Sequence, residues 1–276
     1  MTIPRIPLGD FVEEAVYWTN DHLGFYLDAF SDILGYLLLI MKNGLLLIPE
    51  PLFILLIAAI AYLVSNKDWK LSIGSAVGFI LILSMDLWEL SIETLALVIA
   101  SAGMALVIGI PIGILCGKND HILHIVKPIL DLMQTMPSFV YLIPAVIFFG
   151  LGNVPGMIAT VVFAMPPTIR LTNLGIREVP KELVEVADAF GSTPWQKLVK
   201  VEIPVALKTI MAGVNQCIML SLSMVVVASM IGARGLGYQV LIGIQRVDIA
   251  AGFEAGIGIV IIAIVLDRIT QHLTPK

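Results

Sequence analysis

Long apolar runs separated by short polar connections set the pattern of this chain, and their lengths suit helices that cross a lipid bilayer. A spanning helix needs roughly 20 mostly apolar residues. Runs of this kind occupy residues 52–65, 71–87, 92–116, 130–150, 157–170, 206–231 and 250–266. An eighth run, 33–48, is short and carries Lys42 and Asn43 at its middle. Before it, residues 11–30 alternate aromatic and acidic side chains, which suits an amphipathic helix lying in the membrane interface. Strand-type alternation is absent, and backbone groups in hydrocarbon must be paired, so the pattern predicts helices rather than a barrel. The expectation is an all-α membrane protein, a polytopic helical bundle of seven or eight spans.

Composition sharpens this picture. The 276 residues are 58% apolar and 13% charged, with a mean hydropathy of +0.97, which leaves no room for a large water-soluble domain. A net charge of −5 and a pI near 5.3 argue against nucleic acid as a partner. The opening segment MTIPRIPLGDFVEEAV has no basic region followed by an apolar run, so the first span is expected to direct insertion. Lys67 and Lys70, Lys118 and Lys127, the group from Arg170 to Lys208, and Arg268 with Lys276 fall in alternate connections or the tail. Loops rich in Lys and Arg resist translocation, so that side, with the C-terminus, is predicted to be cytoplasmic. Seven spans place the N-terminus outside, where Arg5 stands among acidic residues from Asp10 to Asp32; eight spans turn it inward.

Within the runs, Gly109, Gly113 and Gly117 recur every fourth residue, as do Gly74 with Gly78 and Gly252 with Gly256, which favours close helix packing. Pro137 and Pro144 in one run, and Pro166 with Pro167 in the next, predict bent or interrupted helices. Asn215, Gln216, Ser221 and Ser223 are polar groups inside one span, where they must pair across helices or line water. They are candidate pathway residues. Phe139, Tyr141, Phe148, Phe149 and Trp88 read ordinarily as core or lipid-facing residues, and their aromatic faces are also able to contact a cation. Asp86, Glu89, Glu93 and Glu254 read as a solvated outer rim able to attract a cation.

One extended polar connection remains, residues 171–205. Lys181 to Ala189 are good helix formers that follow Pro180, Gly191 can close that helix in a left-handed conformation, and Thr193 can cap a second short helix begun by Pro194. Leu183, Val186, Ala187 and Phe190 fall at helical spacing and form an apolar face. Such a face rests either on lipid headgroups or on a partner.

The segment Glu185-Val186-Ala187, then Gly191, then Val201-Glu202-Ile203-Pro204, resembles the EAA loop of ABC-importer permeases. Glu185, Ala187, Gly191 and Pro204 stand at the family spacing, while Val186, Val201 and Ile203 replace other apolar residues. The stretches PILDLMQTMPSFVYLIPAVIFFGLG, FAMPPTIRLTNLGI and SMVVVASMIGARGLG resemble permease subunits of glycine betaine and proline betaine importers. The resemblance implies a five-span type I ABC-importer permease core over residues 92–270, preceded by an N-terminal segment 1–50 and accessory helices 51–91. It implies that the loop docks on a cytoplasmic ATPase through Lys181, Glu182, Leu183, Glu185, Val186, Ala187, Ala189, Phe190, Gly191, Val201, Ile203 and Pro204. It further implies two copies of this chain, two ATPase copies, an extracytoplasmic binding protein, and a small quaternary-ammonium solute as cargo.

No chemistry of its own is legible in the chain. GILCGK at Gly113 to Lys118 is one residue too short for a phosphate-binding loop and puts Asn119 where Ser or Thr would bind magnesium, so ATP and magnesium belong to the partner and no cofactor is expected here. His22, His121, His124 and His272 are scattered, and no metal site is expected. Cys116 and Cys217 read as small buried side chains. The alternatives are an ABC permease for another small substrate, an ion-driven secondary transporter, which normally buries charge at mid-membrane, and a membrane enzyme, which needs a His, Asp or Glu cluster.

Overall fold

The computed structural model describes residues 8–65 and 67–273; Arg5 and Lys276 lie outside the described residues. Among these, all regular structure is helical. The elements are α1 (Leu8–Leu46), α2 (Glu50–Val64), α3 (Trp69–Ser84), α4 (Trp88–Lys118), α5 (Asp120–Thr135), a 3-10 turn (Ser138–Tyr141), α6 (Leu142–Phe149), α7 (Asn153–Arg177), α8 (Lys181–Ala189), α9 (Pro194–Lys197), a π turn (Leu198–Glu202), α10 (Ile203–Ser229), α11 (Leu236–Arg246) and α12 (Ile249–Leu273). Five helical stretches are long and apolar enough to cross a membrane, or six if the bent pair α5 and α6 is one span. The expected spans 52–65 and 71–87 are helices of 15 and 16 residues, shorter than the roughly 20 that a bilayer requires.

The two N-terminal segments expected separately are one continuous helix of 39 residues, because no proline interrupts the chain between Leu8 and Pro49. Pro49 then serves as the N-cap of α2. Lys42, the charge inside that segment, is neutralised: its Nζ lies 3.3 Å from Glu89 Oε1 and 3.4 Å from Glu93 Oε1 at the start of α4. Glu93 is therefore a buried, paired carboxylate rather than part of a solvated rim.

Prolines act differently in two places. Met136, ahead of Pro137, is extended (φ −71°, ψ 135°), and α5 turns by 109° into the 3-10 turn and α6. A proline disfavours helix in the residue before it, and this break follows. Pro166 and Pro167, by contrast, lie inside the unbroken α7, so the interruption expected there does not occur. Both are buried between α4 and α10 with Ala164, Thr168, Ile169 and Thr172, and that packing holds the helix together.

The central packing is α4 against α7. A Cβ on Gly113 would lie 2.5 Å from Thr172 Cβ, and one on Gly117 2.8 Å from Ile176 Cγ2, so only glycine permits this approach. Gly78 approaches Ile261 in the same way, whereas Gly74 and Gly256 face open space. An aromatic cluster of Phe53, Phe79 and Trp88, with ring centroids 5.3 to 6.2 Å apart, seats α2 and α3 on α4 and α12. Trp88 is thus a core residue of this cluster.

Candidate functional site

Residues 178–202 connect α7 to α10 at the end of the bundle where α4 and α7 finish and α10 begins. Pro180 caps α8, which runs over Lys181–Ala189 as the sequence predicts. Its last turn closes through Gly191 at φ +72°, with the Gly191 N–H donating to Asp188 O at 2.9 Å and the Ser192 N–H to Ala187 O at 3.0 Å. A side chain at Gly191 would meet nothing within 4 Å, so glycine is needed there for its backbone and not for space. Thr193 caps α9 in a reciprocal box with Gln196. Lys197 Nζ then reaches back to Asp188 at 2.8 and 2.9 Å, tying the two short helices into one platform.

The platform splits the apolar face read from the sequence. Ala187 is buried, and Val184 packs with Ile176, Val179, Leu198 and Ile203. Leu183, Val186 and Phe190 point outward at 42%, 53% and 86% exposure, joined by Trp195 at 72%. Lys181, Glu182, Glu185 and Ala189 are exposed on the same helix. Val201, Ile203 and Pro204 sit at its root, not its tip. Proline at 204 lacks the N–H of a regular helix and crowds the carbonyl four residues earlier. The chain answers with the π turn, in which Ile203 N–H bonds Leu198 O across five residues. Pro194 to Ser229 consequently forms one rod of 36 residues.

Both roots of the platform are fastened to the corner between α4 and α5. Arg177 donates to Cys116 O at 2.8 Å, to Asp120 Oδ1 at 2.6 Å and to Asn173 Oδ1 at 2.9 Å. Lys118 Nζ lies 2.6 Å from Glu202 Oε2, whose side chain is 7% exposed. Sequence reasoning missed this pair, because it read Lys118 only as the end of a span and Glu202 as the unspecified position of the motif. The available signal was one carboxylate in the otherwise apolar or basic run Leu198 to Pro204.

The pathway candidates separate. Gln216 and Ser223, two turns apart, lie with Met219 on an exposed stripe of α10. Asn215 faces α12, donating to Asp267 Oδ1 at 3.0 Å and accepting from Thr270 Oγ1 at 2.5 Å. Ser221 is buried and donates to Cys217 O at 2.9 Å. Phe139 is exposed on the 3-10 turn, whereas Tyr141 is buried against Met224 of α10 with its hydroxyl donating to Met133 O. Phe149 packs on Phe30 at 6.2 Å between centroids. Arg170 of α7 pairs with Asp131 of α5. At the opposite end, Asn153 Oδ1 accepts from the Arg234 N–H at 2.7 Å and Thr94 Oγ1 from the Leu236 N–H at 2.8 Å, which fixes the turn between α10 and α11 to α4 and α7.

The helices form a bundle of membrane-spanning length with one ordered loop between two of them, and residues 109–276 match the family described as binding-protein-dependent transport system inner membrane component. The chain belongs to that family and is a multi-pass membrane permease subunit of an ABC importer. It is 52% identical to the glycine betaine/carnitine transport permease protein GbuB of Listeria monocytogenes over 99% of this chain and 98% of that protein. It is 47% identical to the glycine betaine transport system permease protein OpuAB of Bacillus subtilis over 99% and 96%, and 45% identical to the glycine betaine/proline betaine permease ProW of Escherichia coli over 96% and 75%. Among solved structures, an inward-facing MetNI methionine ABC transporter shares the fold, with a TM-score of 0.57 and 24% identity over 66% of this chain and 93% of that one.

Proposed function

We propose that this chain forms, as a pair of identical copies, the membrane pore of an importer for glycine betaine or a closely related quaternary-ammonium solute. Two copies of a cytoplasmic ATPase grip its α8 platforms, and an extracytoplasmic binding protein delivers the cargo. The observation that carries the reading is the outward set Leu183, Val186, Phe190 and Trp195 on a platform braced by Asp188–Lys197. Four large apolar side chains exposed on two adjoining short helices of a polar loop make a surface suited to a covering partner. The lopsided placement of Lys and Arg supports a cytoplasmic position for that surface and for the C-terminus. The solutes named for three relatives at 45–52% identity support the solute class.

The mechanism that follows is alternating access. Closure of the ATPase pair around ATP draws the two platforms together, and the spans attached to them rock the pore open to the other side. ATP hydrolysis is supplied by the partner. The test is reconstitution of this chain in liposomes with its ATPase and binding protein. Labelled glycine betaine should accumulate only with ATP on the ATPase side; accumulation driven by an ion gradient without the ATPase would overturn the reading.

A further inference from the structure

The α4–α5 corner makes contact with the loop at both of its roots. Arg177 leaves α7 and seizes Cys116 O and Asp120, while Glu202 enters from the π turn and meets Lys118. The corner residues 116–120 are therefore held from the incoming and the outgoing strand of the same loop. Beyond the corner, α5 stays connected to the bundle by Leu130 against Cys116 and Ile169, and by Asp131 with Arg170. It ends at the 109° break that leads into the turn carrying Phe139 and Tyr141. Tyr141 packs on Met224 near the C-terminal end of α10.

We propose that Lys118 and Glu202 are positioning residues for coupling: they make α5 follow the platform, so that a push on α8 reaches the 3-10 turn through the α4–α5 corner as well as along α7 and α10. Three observations support this. The carboxylate is buried, so separating it from Lys118 is costly and the two ends move as one. Glu202 is the last residue of the π turn, where the helix register shifts by one residue and sets the direction of its side chain. Arg177 holds the corner at a second point from the other root, so that both contacts together are needed to keep it from swivelling about one. The inference rests on the platform being the ATPase dock, and it adds a route by which that dock acts.

The test uses the full transporter in proteoliposomes and compares Glu202→Gln, Lys118→Met, the exchanged pair Lys118→Glu with Glu202→Lys, and Phe190→Asp as a control on docking itself. Glu202→Gln keeps shape and hydrogen-bonding capacity, so it tests the charge without emptying the site. Expected for the two single variants is unchanged copurification of the ATPase and near-normal ATP hydrolysis, with solute carried per ATP falling about tenfold. The exchanged pair should recover at least part of that loss. A spin-label distance from His124 on α5 to Arg268 on α12 should change on nucleotide trapping in the parent and not in Glu202→Gln. Full solute transport per ATP in both single variants, or an unaltered α5 movement in Glu202→Gln, overturns the relay. Phe190→Asp should weaken ATPase binding about thirtyfold; unchanged affinity would overturn the docking assignment, and that result is separable from failure of the relay.

Discussion

The α4–α7 interface and the α1 attachment are two solutions to the same task, holding one long apolar helix against another. In the first, glycines bring backbones together so closely that Thr172 and Ile176 fill the space where side chains would be. In the second, α1 lies largely on the outside, with Leu34 and Leu38 as its buried residues and Lys42 bridging to Glu89 and Glu93. Between apolar helices in lipid there is little hydrophobic gain, so close shape fit and polar contacts remain as the adhesives. The core uses fit, which tolerates no added atom. The peripheral helix uses charge, which tolerates shape changes but not loss of a partner.

Substitutions can break that contrast in order of severity. Gly113→Leu should prevent assembly of the bundle: overpacking costs typically 1–3 kcal/mol, and a Cβ already 2.5 Å from Thr172 with a backbone oxygen at 2.8 Å places this site at or above the upper end. Yield of monodisperse protein in mild detergent checks it, and normal yield would mean that the two helices can separate. Lys42→Met comes next. It leaves Glu93, with a side chain 8% exposed, without its cation, at a cost of about 3 kcal/mol. Thermal unfolding in detergent should show the loss, and adding Glu93→Gln to it should restore most of it.

Two further variants probe the loop, which combines both devices. Phe190→Asp removes an 86% exposed apolar tip without touching the interior. The bundle should melt normally while affinity for the ATPase falls by roughly 2 kcal/mol, about thirtyfold, as measured by titration in nanodiscs. Gly191→Ala should have the smallest effect, about 1 kcal/mol on the α8 platform, since the cost is a left-handed backbone and not a clash. Proteolysis within residues 178–193 should rise modestly, with global melting unchanged.

The sequence made visible whatever depends on local pattern. Residues 181–189, the left-handed Gly191, the Thr193 cap and the break at Pro137 each follow from a residue acting on its own neighbours, and each is found. Gly109, Gly113 and Gly117 also announced close packing, because a period of four marks one helix face. What stayed hidden depends on which faces meet. Pro166 and Pro167 predict a bent or interrupted helix, and α7 runs uninterrupted across them. Lys42 looked misplaced until Glu93, 51 positions away, came beside it. Asn215 and Gln216 are adjacent in sequence, yet one bonds Asp267 and the other lies on the exposed stripe. The Lys118–Glu202 pair spans 84 positions, with no periodicity to reveal it.

The unbroken rod from Pro194 to Ser229 has a mechanical consequence. At 1.5 Å per residue it is about 54 Å long, and Ile203, next to the Lys118 contact, divides it into arms of roughly one quarter and three quarters. Pivoting there, a sideways shift of about 2 Å at Trp195 becomes about 6 Å at Ser229. Under the proposed docking at α8, a small displacement of the platform would thereby be enlarged about threefold at the far end of α10.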